Sequence, residues 1–421
     1  MGYPSIARTV KSDLEKACPI RQFSETIETY SNIWNCVIFY ATVPYIFVKH
    51  NYFLQIFLNY GHNFIPWRHP MKIIDMHCDT VSRIYQERKQ QKQANLRKNS
   101  FQVDLTKMKS AAYLLQNFAL FIDLGETAEP YETFLGQLAV FQEEMAQNAD
   151  LIAPVTSYSQ ILTNEGQEKM SALLTLEEGE VCGGSLTRLQ EIYGMGIRMM
   201  TFIWNYPNSL GYPAEPAPFT ALIKPFTGCE YNTSLRSLKN AYQTAYSRTE
   251  KGLTSLGIEF LAEMERLSII PDVSHLSDEG IRDVCRFATK PFCASHSNAR
   301  SLCGRGRNLP DNLIRAISEK GGIIGVNFYG PFLSDTPNGH DIFFSYIKNI
   351  AQHICHISDI GGIYCIGLGS DFDGIDDNLE LENCSKMELL AHELQKCGFH
   401  TSEIEQIFHK NVLNFYQELL K

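Results

Sequence analysis

The chain of 421 residues has an ordinary globular composition, with 44% hydrophobic and 20% charged residues. Its formal net charge is −10 and no long basic run appears, which argues against a nucleic-acid partner. Its 12 cysteines follow no regular spacing and form no Cys-x-x-Cys pair, which favours a reduced protein without a thiolate metal site. The length allows two or three domains, or one large α/β barrel.

The first part of the chain differs in character from the rest. Residues 33–48 are mostly apolar and aromatic, but this stretch is short for a membrane span and lies too far along for an ordinary signal peptide. Membrane contact and loose packing against the main body both stay open for it. Met71 directly precedes the first predicted strand. We therefore expect residues 1–70 to be an extension of unclear role, residues 71–421 to form one catalytic domain, and the protein to be cytoplasmic.

From Lys72 onward, apolar runs typical of strands alternate with runs of helical periodicity. The eight predicted strands cover residues 73–79, 115–122, 172–177, 196–203, 268–275, 291–296, 322–329 and 363–371. Helices are predicted between them, and the clearest cover residues 133–145, 186–193, 278–287, 311–320, 341–356 and 401–420. This alternation implies parallel strands with right-handed crossovers, and eight such strands close into a (β/α)8 TIM barrel without open edges. An open doubly wound sheet is the alternative, although no Gly-x-Gly-x-x-Gly loop follows the first strand.

One connection, at about residues 204–251, is much longer than the others. Its first half is rich in proline, glycine and tyrosine. Long loops in compact domains are usually functional or mobile. On a barrel this loop would lie over the mouth as a lid, and a peripheral decoration is the alternative for its distal half.

Side chains of metal-ligand type stand at the carboxyl ends of five predicted strands. In chain order they are His77 and Asp79, then Glu177, His275, His296 and Asp371. Each of them alone has an ordinary explanation as a satisfied polar group. In a barrel, however, these strand ends meet at the rim where barrel enzymes build their active sites. Buried acids and histidines converging there would be costly without a cation. Nitrogen and oxygen donors without thiolate suit zinc, with manganese, cobalt or iron as alternatives.

This ligand set predicts a two-metal site of the metallo-dependent hydrolase type. His77 and Asp79 would coordinate one ion, His275 and His296 would coordinate the other, and Glu177 would bridge the two ions. Two divalent ions roughly 3.5 Å apart share a hydroxide that is available near neutral pH. The site would then hydrolyse its substrate with a metal-bridging hydroxide.

Two more side chains complete the predicted chemistry. Asp371 would take a proton from the water and give it to a leaving amine, which points to hydrolysis of an amide-like bond. Arg307 is a candidate clamp for a substrate carboxylate, because a guanidinium binds carboxylates in a bidentate manner. Arg300 and Arg305 compete for this role, and a surface position is the ordinary explanation for each arginine.

At these residues the sequence resembles the membrane dipeptidase (renal dipeptidase) family of zinc peptidases, in its bacterial-type form. The resemblance covers nearly all of residues 71–421 and implies a metal-dependent, amidohydrolase-like barrel with two Zn²⁺. It also implies that Arg307 engages the terminal carboxylate of a dipeptide and that Asp371 is the catalytic acid and base. The matching segments, in family order, are Ile74–Thr80, Leu176–Gly179, Asp272–Ser277, Ala294–Asn298, Arg307–Pro310, Val326–Tyr329 and Gly369–Gly374.

The chain departs from the animal members of the family just after the predicted strand 196–203. Those enzymes carry a histidine there that helps to hold the substrate, whereas this chain has Trp204, as bacterial relatives do. We expect Trp204 and Asn208 to contact the substrate. The long loop also looks expanded relative to the family, which bears on substrate access.

The sequence therefore predicts a zinc-dependent dipeptidase. A related barrel amidohydrolase acting on N-acyl amino acids or lactams is one alternative, and a non-catalytic, membrane-tethered homologue is another. Relatives of this family are often dimeric, so a homodimer stays open.

Overall fold

The structure is a computed structural model that describes residues 71–215, 251–340, 342–376 and 378–421. The predicted extension at residues 1–70, its apolar stretch and most of the long loop lie outside these ranges. Within them, no helix is both long enough and apolar enough to cross a lipid bilayer.

Parallel strands in the described residues form one sheet that closes into a barrel. The sheet order is β2-β1-β9-β8-β7-β6-β5-β4-β3, and a further pairing of β2 with β4 closes a ring of eight strands. The predicted (β/α)8 barrel is thus confirmed. The strand bounds are β1 Ile73–Asp75, β2 Tyr113–Phe121, β3 Ile152–Val155, β4 Met170–Glu177, β5 Met199–Thr201, β6 Ile270–Asp272, β7 Cys293–Ala294, β8 Ile323–Val326 and β9 Ile366–Leu368.

Strand β3 lies outside the ring and was absent from the sequence prediction. It pairs with Met170–Leu173 in the first half of β4, whereas β5 pairs with Thr175–Glu177 in the second half. β3 is short and contains Pro154, which removes one ladder donor and suits an edge strand.

The helices of the described residues alternate with the strands, as predicted. The helix predicted from residue 341 begins at Ile347, and the predicted closing helix is a continuous run that contains a π-helical turn at Gln406–Lys410. The α-helix bounds are α1 Thr80–Lys89, α2 Leu105–Ser110, α3 Pro130–Gln147, α4 Tyr158–Gly166, α5 Leu186–Gly194, α6 Ser255–Leu267, α7 Asp278–Phe287, α8 Asp311–Glu319, α9 Gly330–Leu333, α10 Ile347–Gly361, α11 Met387–Lys396, α12 Thr401–Glu405 and α13 Asn411–Leu419.

The closing helix α13 seals the amino-terminal end of the barrel. Its Val412, Phe415 and Tyr416 join one buried cluster with apolar side chains from most of the barrel strands. The Tyr416 hydroxyl donates to Asn117 Oδ1 at 3.0 Å, which satisfies a polar pair inside this apolar end. Packing at the amino-terminal end leaves the carboxyl ends of the strands for polar side chains.

His353 on α10 is a buried histidine far along the chain from the ligand-type residues. Its Nδ1 accepts from the Ala299 N–H at 3.0 Å, and its Nε2 donates to the Leu333 carbonyl oxygen at 3.2 Å. This arrangement needs the neutral ring. Burial lowers the pKa of His353 to about 4, against an ordinary value of 6.5.

The depressed pKa of His353 predicts a loss of stability in mild acid. Between pH 6.5 and pH 4 the unfolded chain binds a proton on this ring and the folded chain does not, which costs up to roughly 3 kcal/mol. The variant His353→Gln has no ring to protonate at this position, so it lacks this pH-dependent loss of stability. The free energy of unfolding in urea should therefore fall less steeply between pH 7 and 4.5 in the variant. Equal slopes in the two proteins would contradict this account.

Candidate metal centre

The ligand-type side chains predicted from five strand ends meet at the carboxyl rim of the barrel. Glu177 is the last residue of β4, whereas the other ligand-type residues follow strands that end earlier than predicted. All of these side chains are buried except that of Asp371, which is 14% exposed. The structure thus brings together His77, Asp79, Glu177, His275, His296 and Asp371.

Glu177, the last residue of β4, lies between the three histidines. Its Oε2 is 3.3 Å from His77 Nε2. Its Oε1 is 2.9 Å from His275 Nε2 and 3.6 Å from His296 Nε2. The two carboxylate oxygens therefore face two different groups of ligands, which is the arrangement that a carboxylate bridging two cations requires.

The first group contains His77, Asp79 and Asp371. His77 Nε2 lies 3.4 Å from Asp79 Oδ2 and 3.7 Å from Asp371 Oδ1. Gly374 packs against this group so closely that a Cβ atom there would lie 2.1 Å from Asp79 Oδ2. Among the described residues, His77 Nε2 and Asp79 Oδ1 make no hydrogen bond of acceptable geometry although both are buried. Orphaned buried atoms of this kind are costly, and a cation would satisfy them.

The second group consists of His275 and His296, whose Nε2 atoms are 2.9 Å apart. Each ring is held from its other nitrogen. His275 Nδ1 is 3.1 Å from Asn205 Oδ1, and His296 Nδ1 is 2.8 Å from Ser295 Oγ. Partners at Nδ1 fix the ring and leave Nε2 for a metal. Sequence reasoning missed Asn205, because nothing in the local pattern after Trp204 marks it.

Two buried aspartates brace the backbone beneath the ligands. Asp75, at the end of β1, accepts from Ser370 N–H at 2.9 Å and from Ser370 Oγ at 2.6 Å. Asp272, at the end of β6, accepts from the backbone and hydroxyl groups of Ser274 and Ser295. Each aspartate thereby ties neighbouring strand ends together. Sequence reasoning missed both roles, and the available signal was an aspartate closing a buried strand two or three residues before a histidine.

The electrostatics of the site favour a positive charge between the carboxylates. Burial disfavours charge on both His77 and Glu177, but their mutual attraction outweighs it, so the pKa of His77 lies above its usual value and that of Glu177 below. Burial and the nearby Arg307 guanidinium lower the pKa of His275 to about 4. Burial also lowers the pKa of His296, with a further contribution from His77. Neutral imidazoles at His275 and His296 beside the ionised Glu177 are the forms that bind a metal, whereas His77 would release its proton when an ion binds.

Asp371 differs from the other acids of the site. Burial raises its pKa to about 7; His77 opposes this rise, while Asp79 and Glu177 add to it. Its Oδ2 accepts from Asn327 Nδ2 at 2.9 Å, and its backbone has a φ of +63°, which a non-glycine residue rarely adopts. Strained backbone of this kind concentrates at functional sites. A carboxyl group held in this way can exchange a proton near neutral pH.

Of the three candidate arginines, Arg307 is the one whose guanidinium lies beside the metal-ligand residues. Its Nη2 is 3.2 Å from His275 Nε2, while its Nε and Nη1 are buried and have no partner among the described residues. Arg300 instead forms a two-point ion pair with Asp278, at 2.8 and 2.7 Å. The guanidinium of Arg305 lies 5.4 Å from the ring centre of Phe343.

A cavity of about 680 Å³ opens over the rim. Trp204 lines it, with ring centres 4.8 Å from Phe121 and 6.3 Å from His275. Asn208, which we expected to contact the substrate, does not line this cavity. Its amide donates to Glu178 Oε1 at 2.7 Å and to the Phe202 carbonyl oxygen at 2.8 Å, so it braces the loop after β5.

An eight-stranded α/β barrel with histidine and carboxylate side chains gathered at its carboxyl rim defines a metal-dependent hydrolase of the amidohydrolase-like class. The sequence model of the membrane dipeptidase family (peptidase family M19) matches residues 67–222 and 226–419. The chain therefore belongs to this family, and it is a metallo-dipeptidase. The resemblance drawn from the sequence is confirmed.

Several known proteins are similar to this chain. An uncharacterized dipeptidase of Schizosaccharomyces pombe is 27% identical over 328 residues, which cover 75% of this chain and 71% of the relative. An uncharacterized protein from the pqqA 5' region of Klebsiella pneumoniae is 28% identical over 298 residues, covering 68% of this chain and 95% of its own length.

Several solved structures share the fold, among them two metallopeptidases. The dipeptidase AC, a metallopeptidase of family M19, superposes with a TM-score of 0.70 at 20% identity, covering 84% of this chain and 99% of its own. A metallopeptidase from Rhodobacter sphaeroides, bound to a phosphinate mimic of the dipeptide L-Ala-D-Ala, has a TM-score of 0.69 at 19% identity, covering 83% of this chain and all of its own.

Proposed function

We propose that the chain is a zinc-dependent dipeptidase with two ions at its rim. His77 and Asp79 would hold one ion, His275 and His296 the other, and Glu177 would bridge them. The observation that carries the proposal is the division of the Glu177 oxygens, with Oε2 toward His77 and Oε1 toward the other two histidines. Nitrogen and oxygen donors without thiolate suit Zn²⁺, and the orphaned His77 Nε2 and Asp79 Oδ1 fit a cation at this point.

The ions, when bound, supply an acidified water and polarise the scissile carbonyl. Asp371 would act as the general base and then as the general acid. Its Oδ1 faces the ligand group around His77, and its Oδ2 is held by Asn327. The carboxylate would take a proton from the attacking water and deliver it to the departing amine, as a group with a pKa near the working pH can do.

Arg307 would anchor the substrate by its terminal carboxylate. Its Nε and Nη1 are buried donors without partners among the described residues, and a carboxylate offers two acceptors in matching geometry. The guanidinium lies directly beside His275, so an anchored carboxylate would lie one residue from the bond at the ions. This short spacing favours dipeptides over longer peptides, and Trp204 would form part of the wall around them.

Metal analysis combined with a dipeptide panel tests the proposal. We expect close to two zinc ions per purified chain, loss of dipeptide cleavage after chelation, and recovery on adding Zn²⁺, Mn²⁺ or Co²⁺. A metal-replete protein that cleaves N-acyl amino acids or lactams but no dipeptide would overturn the proposal in favour of a related amidohydrolase. A protein that takes up no divalent ion would overturn it altogether.

Replacing Arg307 by alanine should weaken the cleavage of free dipeptides. Removing a two-point, charge-assisted contact costs about 2 kcal/mol, so kcat/KM should fall roughly 30-fold, mainly through KM. The same substitution should change the cleavage of C-terminally amidated dipeptides much less, because they lack the carboxylate. Arg305→Ala is the matched control and should affect neither substrate. Equal losses on free and amidated dipeptides in Arg307→Ala would show that Arg307 does not read the carboxylate.

A further inference from the structure

A second charged side chain stands beside Arg307 on the cavity wall. Glu215 is partly buried, lines the same cavity, and accepts from the Gly306 N–H through Oε1 at 2.6 Å. Gly306 directly precedes Arg307 in the chain. The carboxylate is therefore fixed to the piece of backbone that carries the guanidinium.

The segment that carries Glu215 is itself attached to the metal centre. The Ala214 N–H donates to the His275 carbonyl oxygen at 2.9 Å, and Pro213 forms an antiparallel bridge with Leu276. Gly306, which donates to Glu215, is itself held by Arg300, whose Nη2 donates to the Gly306 carbonyl oxygen at 2.7 Å. The backbone before Glu215 and the residue that its carboxylate binds are thus both fixed.

The charge of Glu215 is available to a ligand. Its carboxylate is bonded to the backbone of the residue before Arg307, and both side chains line the same cavity. Among the described residues, Glu215 Oε2 makes no hydrogen bond or ion pair. The nearby Arg300 guanidinium is engaged by Asp278 in a two-point ion pair.

Among the described residues, the other charged side chains that line the cavity outside the metal centre follow β1, β2 and β9, and the one after β9, Asp373, is held by Thr80 and Gln102. Arg83 and Lys89 lie on α1, after β1, while Asp123 and Glu126 follow β2. In the ring of eight strands, β1 and β2 lie across from β6 and β7, which precede His275 and Arg307. In addition to the acids of the metal centre, Glu215 is therefore the acidic side chain on this part of the cavity wall, beside Arg307.

We propose that Glu215 gives the subsite for the C-terminal residue a charge preference, favouring cationic side chains and disfavouring anionic ones. The inference rests on the proposed function, because it needs Arg307 to hold the C-terminal carboxylate. The side chain of that C-terminal residue branches from the Cα atom that carries the carboxylate, so it would lie beside Glu215. A lysine or arginine side chain brings its cation to Oε2, whereas an aspartate or glutamate side chain is repelled.

The test uses Glu215→Gln, which keeps an acceptor for the Gly306 N–H and removes only the charge. The substrates are Ala-Lys, Ala-Leu and Ala-Glu with full-length, zinc-loaded protein, and kcat and KM are measured separately. We expect the wild type to cleave Ala-Lys more efficiently than Ala-Glu. The variant should lower the ratio of the two kcat/KM values by about fivefold or more, mainly through KM, and the difference should shrink at high salt.

Glu279→Gln is the matched control, because it makes the same change at an exposed carboxylate that does not line this cavity. Its Ala-Lys to Ala-Glu ratio should equal that of the wild type. An unchanged ratio in Glu215→Gln, or a wild-type preference for Ala-Glu, would overturn the inference and leave Glu215 as a backbone brace. Failure of the metal-replete wild type to cleave any of the three dipeptides would overturn the proposed function and the inference together.

Discussion

Glu177→Gln should remove nearly all dipeptidase activity and most of the bound metal. Both carboxylate oxygens face histidine nitrogens, and an amide would present an uncharged oxygen to one group and an N–H donor to the other. Replacing even an outer partner of a metal ligand costs 10–100-fold, so the loss of a bridging ligand should exceed about 100-fold in activity. Elemental analysis of the purified variant, together with kcat/KM on a dipeptide, measures both effects.

Glu178→Gln is a demanding control for this result. Glu178 is the next residue and is also buried, but its carboxylate accepts from Glu180 N–H, Trp204 N–H and the Asn208 amide. Its replacement should disturb the loop after β5 and leave the metal content close to that of the wild type. Full turnover in Glu177→Gln would remove the basis for the two-metal proposal.

Asp371→Asn should separate proton transfer from metal binding. We expect the variant to retain its metal while kcat falls by about 10²–10⁴, because a general acid and base contributes on this scale and an amide cannot carry the proton. Metal content, kcat and the melting temperature should be measured on the same preparation. If the variant loses metal to the same extent as Glu177→Gln, Asp371 is a ligand of the group around His77 rather than the proton carrier.

Asp373→Asn is the matched control for Asp371. Two residues away, Asp373 is held by the Thr80 hydroxyl at 2.6 Å and by the Gln102 N–H at 2.7 Å. Its carboxylate joins the loop after β9 to α1 and the segment before α2. We expect its replacement to lower the melting temperature much more than it lowers kcat.

The barrel and its rim could be predicted from the sequence because both follow from local patterns. Apolar runs alternate with helical runs, and the ligand-type residues stand where those runs end. Strand β3 was missed because it is a short edge strand interrupted by Pro154. Six of the eight predicted strands were too long, because polar side chains near their carboxyl ends bind each other, as Asp75 binds Ser370 almost 300 residues later.

Contacts between distant residues account for what the sequence left undecided. Asn205 and His275 are 70 residues apart in the chain, so no local pattern connects them. The choice among three neighbouring arginines depends on Asp278, which engages Arg300 and leaves Arg307 for the cavity. Asn208 was assigned to the substrate from its neighbourhood, but its amide donates to Glu178 after β4 and to the Phe202 carbonyl oxygen after β5.

Asp75 and Asp272 hold the rim in shape using hydrogen bonds from the protein alone. Because these hydrogen bonds do not depend on a metal ion, we expect the donor atoms to keep their positions when ions are removed. Uptake and release should leave the circular dichroism spectrum almost unchanged. Because the ions would bind the folded chain and not the unfolded chain, they would raise the melting temperature in proportion to the logarithm of their free concentration.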